Sequence, residues 1–151
     1  MSYTRSCKTT MSPILPFSDL ARARMVDLRR GLLKLHKALL DSERVTYERV
    51  HGRIASPGAF FQLVVGDNWF EWLRRVSELV VQIDEMLDSD EPATATDATR
   101  IIEQARMLLK PSEDGSGFGK RYYEALQRDP DVVLAHAAVK KLLRKGVFHL
   151  N

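Results

Sequence analysis

Between Ala21 and Leu39 the apolar residues return at alternating steps of four and three: Ala21, Met25, Leu28, Leu32, Leu35 and Leu39. Only an α-helix gathers such a series on one side, because its turn takes 3.6 residues. A second row at steps of seven, through Val26, Leu33, Leu40, Tyr47 and Ile54, widens the stripe. The stripe is then too broad for a two-stranded zipper and suits a helix packed inside a bundle. This helix is expected from about Asp19 to about Arg53, roughly 50 Å at 1.5 Å per residue. Asp41-Ser42 is a candidate break, since either side chain can cap a new helix.

The rest of the chain repeats the theme. Ser56-Pro57 reads as N-cap and first position of a short helix carrying Phe60, Phe61 and Val64, ended by Gly66. Asp67-Asn68 opens a third helix, with Glu71 spaced to close a capping box on Asn68. Trp69, Trp72, Leu73, Val76, Leu79, Val80, Ile83, Met86 and Leu87 share one side of it, the strongest amphipathic signal in the sequence. A stretch from Asp88 to Pro92 breaks it. A fourth helix starts near Thr96, turns Ala98, Ile101, Ile102, Ala105, Leu108 and Leu109 inward, and stops before Pro111.

Residues 111–119 form a Gly-rich loop, followed by a short helix from Lys120 to Gln127 with Tyr122, Tyr123 and Leu126. Asp129-Pro130 caps and opens the last helix, which runs to Lys145 with Gly146 as its stop and Val132, Ala135, Val139, Leu142 and Leu143 facing in. No segment alternates apolar and polar residues as a half-buried strand does, and there is no internal repeat. The expected fold is all-α: a single-domain helical bundle of four main helices, the first one long, plus two short ones. Its expected extent is residues 18–146, between a disordered arm at 1–17 and a tail at 147–151.

Composition excludes several classes. The chain has 151 residues, 44% of them hydrophobic, enough for a core without disulfides or a structural metal. No apolar run approaches the roughly 18 residues of a membrane-spanning helix, and no membrane role is expected. The arm has no hydrophobic stretch of secretory type. Cys7 is the single cysteine, which fits a reducing, cytoplasmic setting. The net charge of +3 divides unevenly. Residues 1–50 carry 10 Lys and Arg against 5 Asp and Glu, residues 51–100 carry 4 against 9, and residues 101–151 carry 9 against 6. Complementary packing of basic and acidic helices explains that pattern as well as an acidic partner does.

Four constellations are candidates for chemistry. Arg29, His36 and Glu43 follow Arg22 at steps of seven, inside the apolar stripe, and Tyr47 lies a turn further on. Buried polar groups need partners, so this row is read either as a satisfied network or as a ligand site. Glu48 and His51 make an E-x-x-H step, used in pairs by carboxylate-bridged metal bundles. It occurs here once, and its plain reading is a surface pair. Gly117, Gly119 and Lys120 are the candidate anion site, since glycines before a helix can present amides to a phosphate. Asp114 and Arg121 break the P-loop pattern, leaving a connector as the plain reading. Finally, Trp69, Phe70 and Trp72 with the Phe60-Phe61 pair read as core or as an aromatic pocket.

No motif names an enzyme class, and no cofactor is implied. The leading expectation is a non-enzymatic, cytoplasmic bundle acting through protein–protein contacts as a homodimer. Its reason is the long first helix, whose excess apolar face must be covered by the short helices or by a second subunit. The alternatives are a ligand- or metal-binding bundle using His36, Glu43 and Tyr47, and a nucleic-acid-associated regulator. The latter would use the basic patches Arg22, Arg24, Arg29, Arg30, Lys34 and Lys37 and Lys140, Lys141, Arg144 and Lys145.

Overall fold

The first helix, α1 (Asp19–His51), is unbroken. The structure, a computed structural model, describes residues 19–91 and 93–145. The expected arm at 1–17 with Cys7, the tail at 147–151 and the Gly146 stop lie outside the described residues. Asp41 and Ser42 do not break α1 because their side chains are engaged elsewhere. Asp41 pairs with Lys37 at 2.8 Å, and the Ser42 hydroxyl accepts from Arg128 Nε at 2.9 Å. The helix ends two residues earlier than its pattern suggested, where Gly52 turns the chain with φ +91° and its N–H bonds the Glu48 carbonyl.

Five further α-helices follow: α2 (Pro57–Gly66), α3 (Arg74–Asp88), α4 (Ala95–Leu108), α5 (Phe118–Arg128) and α6 (Pro130–Lys145). Among the described residues there is no strand, so the fold is all-α. The expected start of the third helix needs correction. The N-cap is Asp67, whose carboxylate accepts from Trp69 N–H at 2.8 Å, and residues Asn68–Leu73 wind as a 3₁₀ helix before α3 begins. No capping box forms between Asn68 and Glu71. The tighter winding aligns residues three apart, which suits a segment that must bury Phe70 and Leu73 together and lay Trp69 and Trp72 along the adjacent edge. The fourth helix starts slightly before Thr96, because Thr94 and Asp97 form a full capping box.

Helices α3 and α6 both run antiparallel to α1. Arg22 reaches the Leu87 carbonyl, Arg29 pairs with Asp84, and Tyr47 contacts Phe70, so α3 descends as α1 rises. Arg128 touches Ser42 while Leu142 and Val139 lie against Gly31, so α6 descends too. A Cβ at Gly31 would meet Leu142 Cδ1 at 3.2 Å and Val139 Cγ2 at 3.3 Å. Glycine in a helix interior costs about 1 kcal/mol; here it lets two helices approach closely. Helix α4 packs on α3 and α6 and completes four main helices.

All six residues of the four-and-three row on α1 are buried, as are Val76, Leu79, Val80 and Ile83 of α3 and Ala98, Ile101, Ile102 and Ala105 of α4. The second α1 row divides. Ile54 is buried, Val26, Leu40 and Tyr47 are half-buried, and Leu33 faces out. The upper end of α1, beyond the reach of the other long helices, is covered by the 3₁₀ segment and α5. Of the two covers expected for the excess helix length, the chain supplies one itself.

Candidate functional site

The polar row on α1 is dispersed among separate neighbours. Arg29 pairs with Asp84 on α3, with both side chains partly exposed. Glu43 is 2% exposed and holds Arg121 at 3.3 Å and Arg128 more closely still, both from α5. Ser42 shares Arg128, so one carboxylate and one hydroxyl fasten α5, through both its first and its last turn, to the upper part of α1. His36, between these two ion pairs, is half-buried.

Tyr47 joins an aromatic cluster. Its ring stacks on His51 with centroids 4.2 Å apart and meets Trp69 and Phe70 at 5.5 Å. Glu48 does not face His51. Its Oε2 accepts from Ile54 N–H at 2.8 Å and lies 3.6 Å from Arg44 Nε, so it ties down the turn after α1. Among the described residues no group of three or more His, Cys, Asp or Glu could hold a metal ion.

The Gly-rich loop folds onto itself. Ser112 N–H bonds the Gly119 carbonyl, Ser112 Oγ accepts from Gly115 N–H, and Lys120 Nζ donates to the Glu113 carbonyl at 2.9 Å. Gly117, with φ +72°, is the N-cap of α5. Together with Lys120, Arg75 and Arg121 it borders an open hollow of about 440 Å³ against Trp72. The basic residues of α1 are mostly engaged within the chain: Arg22 with a carbonyl, and Arg29, Arg30 and Lys37 with Asp84, Asp27 and Asp41.

One pair was invisible in the sequence. Tyr122 on α5 is fully buried, and its hydroxyl is hydrogen-bonded to His136 Nδ1 on α6 at 2.5 Å. Fourteen residues and a helix junction separate them, so no local spacing signals the contact. Burial pushes the Tyr122 phenol above its ordinary range. Burial, and then the nearby Lys140 charge, hold His136 below its usual value. Burial alone does the same to His36.

The two lowered histidines set a pH dependence. In the unfolded chain both rings take up protons from about pH 6.5 downward, whereas the folded chain resists. Stability is therefore full above that value and falls as the pH drops through the two folded-state values. Urea unfolding at about pH 7.5 and about pH 5 should show the loss, and the double variant His36→Gln/His136→Gln should flatten it. A variant that keeps the full wild-type slope would refute the assignment.

The most distinctive surface lies at the top of the bundle. Helix α2 has the sequence PGAFFQLVVG, without one charged residue, and none of its residues is buried. Its start is well made, with Ser56 Oγ accepting from Ala59 N–H and Pro57 in the first turn. Phe60 packs edge-on to Phe70 at 5.7 Å, with the Arg44 guanidinium 5.0 Å from its ring centroid. Phe61 does not join the core as the aromatic pair suggested. It is 63% exposed, and Val65, one turn along the same side, is 53% exposed. On a different side of α2, an open cleft of about 620 Å³ runs between that helix and the end of α1, lined by Tyr47, His51, Arg53, Ile54, Gln62 and Leu63 and not by Phe61 or Val65.

The chain matches no protein-family model, no curated protein and no solved structure. Among the described residues no helix is long and apolar enough to cross a membrane.

Proposed function

We propose that this chain is a non-enzymatic helical module that works by binding another protein surface through α2. The observation that carries the reading is the uncharged α2 itself, capped and ordered yet with no buried residue. A single exposed apolar side chain is ordinary on a protein surface. An exposed apolar pair one turn apart on an uncharged helix is a patch of the kind that marks a contact site. The Glu43, Arg29 and Glu48 interactions read as fastenings of the scaffold that presents this patch.

A photoreactive phenylalanine analogue at position 61 of the full chain tests the reading inside cells. It should give an adduct of defined mass that Val65→Asp abolishes, while the same analogue at exposed Glu85 gives none. A second copy of the chain, the partner expected from the long helix, would register as an adduct of twice the 17.2 kDa chain mass. No adduct from position 61, or an equal one from position 85, would overturn the proposal.

A further inference from the structure

The cleft between the end of α1 and α2 is fixed by the chain's own hydrogen bonds. Gly52 turns the chain out of α1 with φ +91°, and Glu48 Oε2 accepts from the Ile54 N–H at 2.8 Å, which pins the turn. Ser56 then caps α2. A molecule entering the cleft meets a shaped site and does not have to order one.

The lining offers three kinds of surface. Buried Ile54, with half-buried Leu63 and Ala59, supplies the apolar part. Tyr47 and His51 supply an aromatic part. Their rings stack at 4.2 Å, and Trp69 meets both edge-on, at 5.5 Å and 5.3 Å. Three mutually packed rings have little rotamer freedom left to lose when a flat molecule lies against them.

The third surface is polar. Arg53 lines the cleft, and among the described residues no carboxylate pairs with it. Glu48 is committed to Arg44 and to the Ile54 N–H, and Asp67 Oδ1 accepts from the Trp69 N–H. Arg53 stands just before α2 and Asp67 just after it, so cation and acid flank opposite ends of a helix about 15 Å long. Gln62 lies between them in the chain and adds an amide able to donate and accept.

From this lining we infer that the cleft binds a small aromatic acid, a molecule of one or two rings carrying a carboxylate. The rings would lie against Tyr47, His51 and Leu63, and the carboxylate would take the Arg53 guanidinium, whose planar fork suits it. The volume of about 620 Å³ falls in the range of small-molecule sites, which are mostly apolar with a few polar groups. Arg53 disfavours an aromatic cation, and a neutral aromatic forgoes the ion pair. The site stands apart from Phe61 and Val65 and does not depend on the partner surface proposed above.

Saturation-transfer NMR and titration calorimetry on the full chain test the site with three probes: indole-3-carboxylate, its neutral amide, and cyclohexanecarboxylate as a non-aromatic acid. Indole-3-carboxylate should bind with a Kd of about 1 mM or tighter, ordinary for a ligand of this size, and about tenfold more tightly than either control. Arg53→Gln should remove most of the preference for the acid over its amide; Arg53 is exposed, so this variant keeps the fold. Ala59→Leu, which enlarges a side chain of the lining, should weaken the acid about tenfold at an unchanged urea midpoint. Phe61→Ser should leave the acid's affinity as it was, so loss of this site and loss of the partner surface are read separately. Equal binding of the acid and its amide would overturn the acid class, and equal binding of cyclohexanecarboxylate would overturn the aromatic one. Binding indifferent to both Arg53→Gln and Ala59→Leu would overturn the assignment to this cleft. No saturation transfer to any probe at millimolar concentration would overturn the site itself.

Discussion

Removing both Arg121 and Arg128 should destabilise the fold by about 3–5 kcal/mol, because it strands a carboxylate in the interior. The loss follows from an asymmetry of exposure. Glu43 is 2% exposed, whereas its two partners are 39% and 30% exposed. The ion pairs themselves are partly screened by water at the arginine ends and contribute modestly. Glu43 has no such outlet: without the guanidinium groups it must stay charged and dry, or take up a proton. Glu43→Gln, by contrast, leaves two arginines that can swing into solvent, and should cost only about 1–2 kcal/mol. Urea denaturation of the double variant Arg121→Ala/Arg128→Ala, of Glu43→Gln, and of the triple variant adding Glu43→Leu checks the order. The triple variant should recover most of the loss. If Glu43→Gln proves the more damaging change, the stranded-charge account is wrong.

The second large effect belongs to the core row of α1. Leu35 is 0% exposed, and Leu35→Ala should cost about 3–4 kcal/mol through lost burial and the cavity left behind. Leu33 stands two residues away on the other apolar row, but is 41% exposed, and Leu33→Ala should move stability by less than about 0.5 kcal/mol. The same measurement settles both. Equal losses at the two positions would mean that the second row is covered in solution by something outside this chain.

Leu33 and Leu35 also show where sequence patterning stops being sufficient. The periodicities of three and four, and of seven, both point to a helix, and that inference holds. Which row lies inside depends on the direction from which neighbouring helices arrive, and hydropathy along one helix contains no such information. The same limit explains Phe60 and Phe61, adjacent identical residues of which one packs on Phe70 and the other faces water. A signal was present in the 13 uncharged residues from Ile54 to Gly66, too few polar groups for a helix lying on a surface. The start of α3 escaped for a local reason. Asn68 and Glu71 have capping-box spacing, but Asp67 takes the cap, and the burial of Phe70 with Leu73 selects a 3₁₀ winding that cap rules do not anticipate.

The polar row teaches a related lesson. The place of Glu43 inside an apolar stripe was legible, and with it the need for a partner if the residue is buried; that it is buried was not. Nor were its partners, Arg121 and Arg128, because they lie 78 and 85 residues away on another helix. Arg29, His36, Glu43 and Tyr47 share a side of α1, but they meet α3, α5 and the aromatic cluster separately. A shared side of a helix about 48 Å long is not a shared site.

The sequence by itself determined that this protein is an all-α bundle, where its helices run to within a few residues, and that the four-and-three row of α1 is core. Helix formation and burial periodicity are written in local spacing, which a single chain displays in full. Only the tertiary structure decided which charges are fastened, that Tyr122 meets His136, and that α2 packs Phe60 inward while leaving Phe61 and Val65 exposed. Those outcomes depend on which surfaces the other helices reach, a property of the packed whole that no stretch of residues contains.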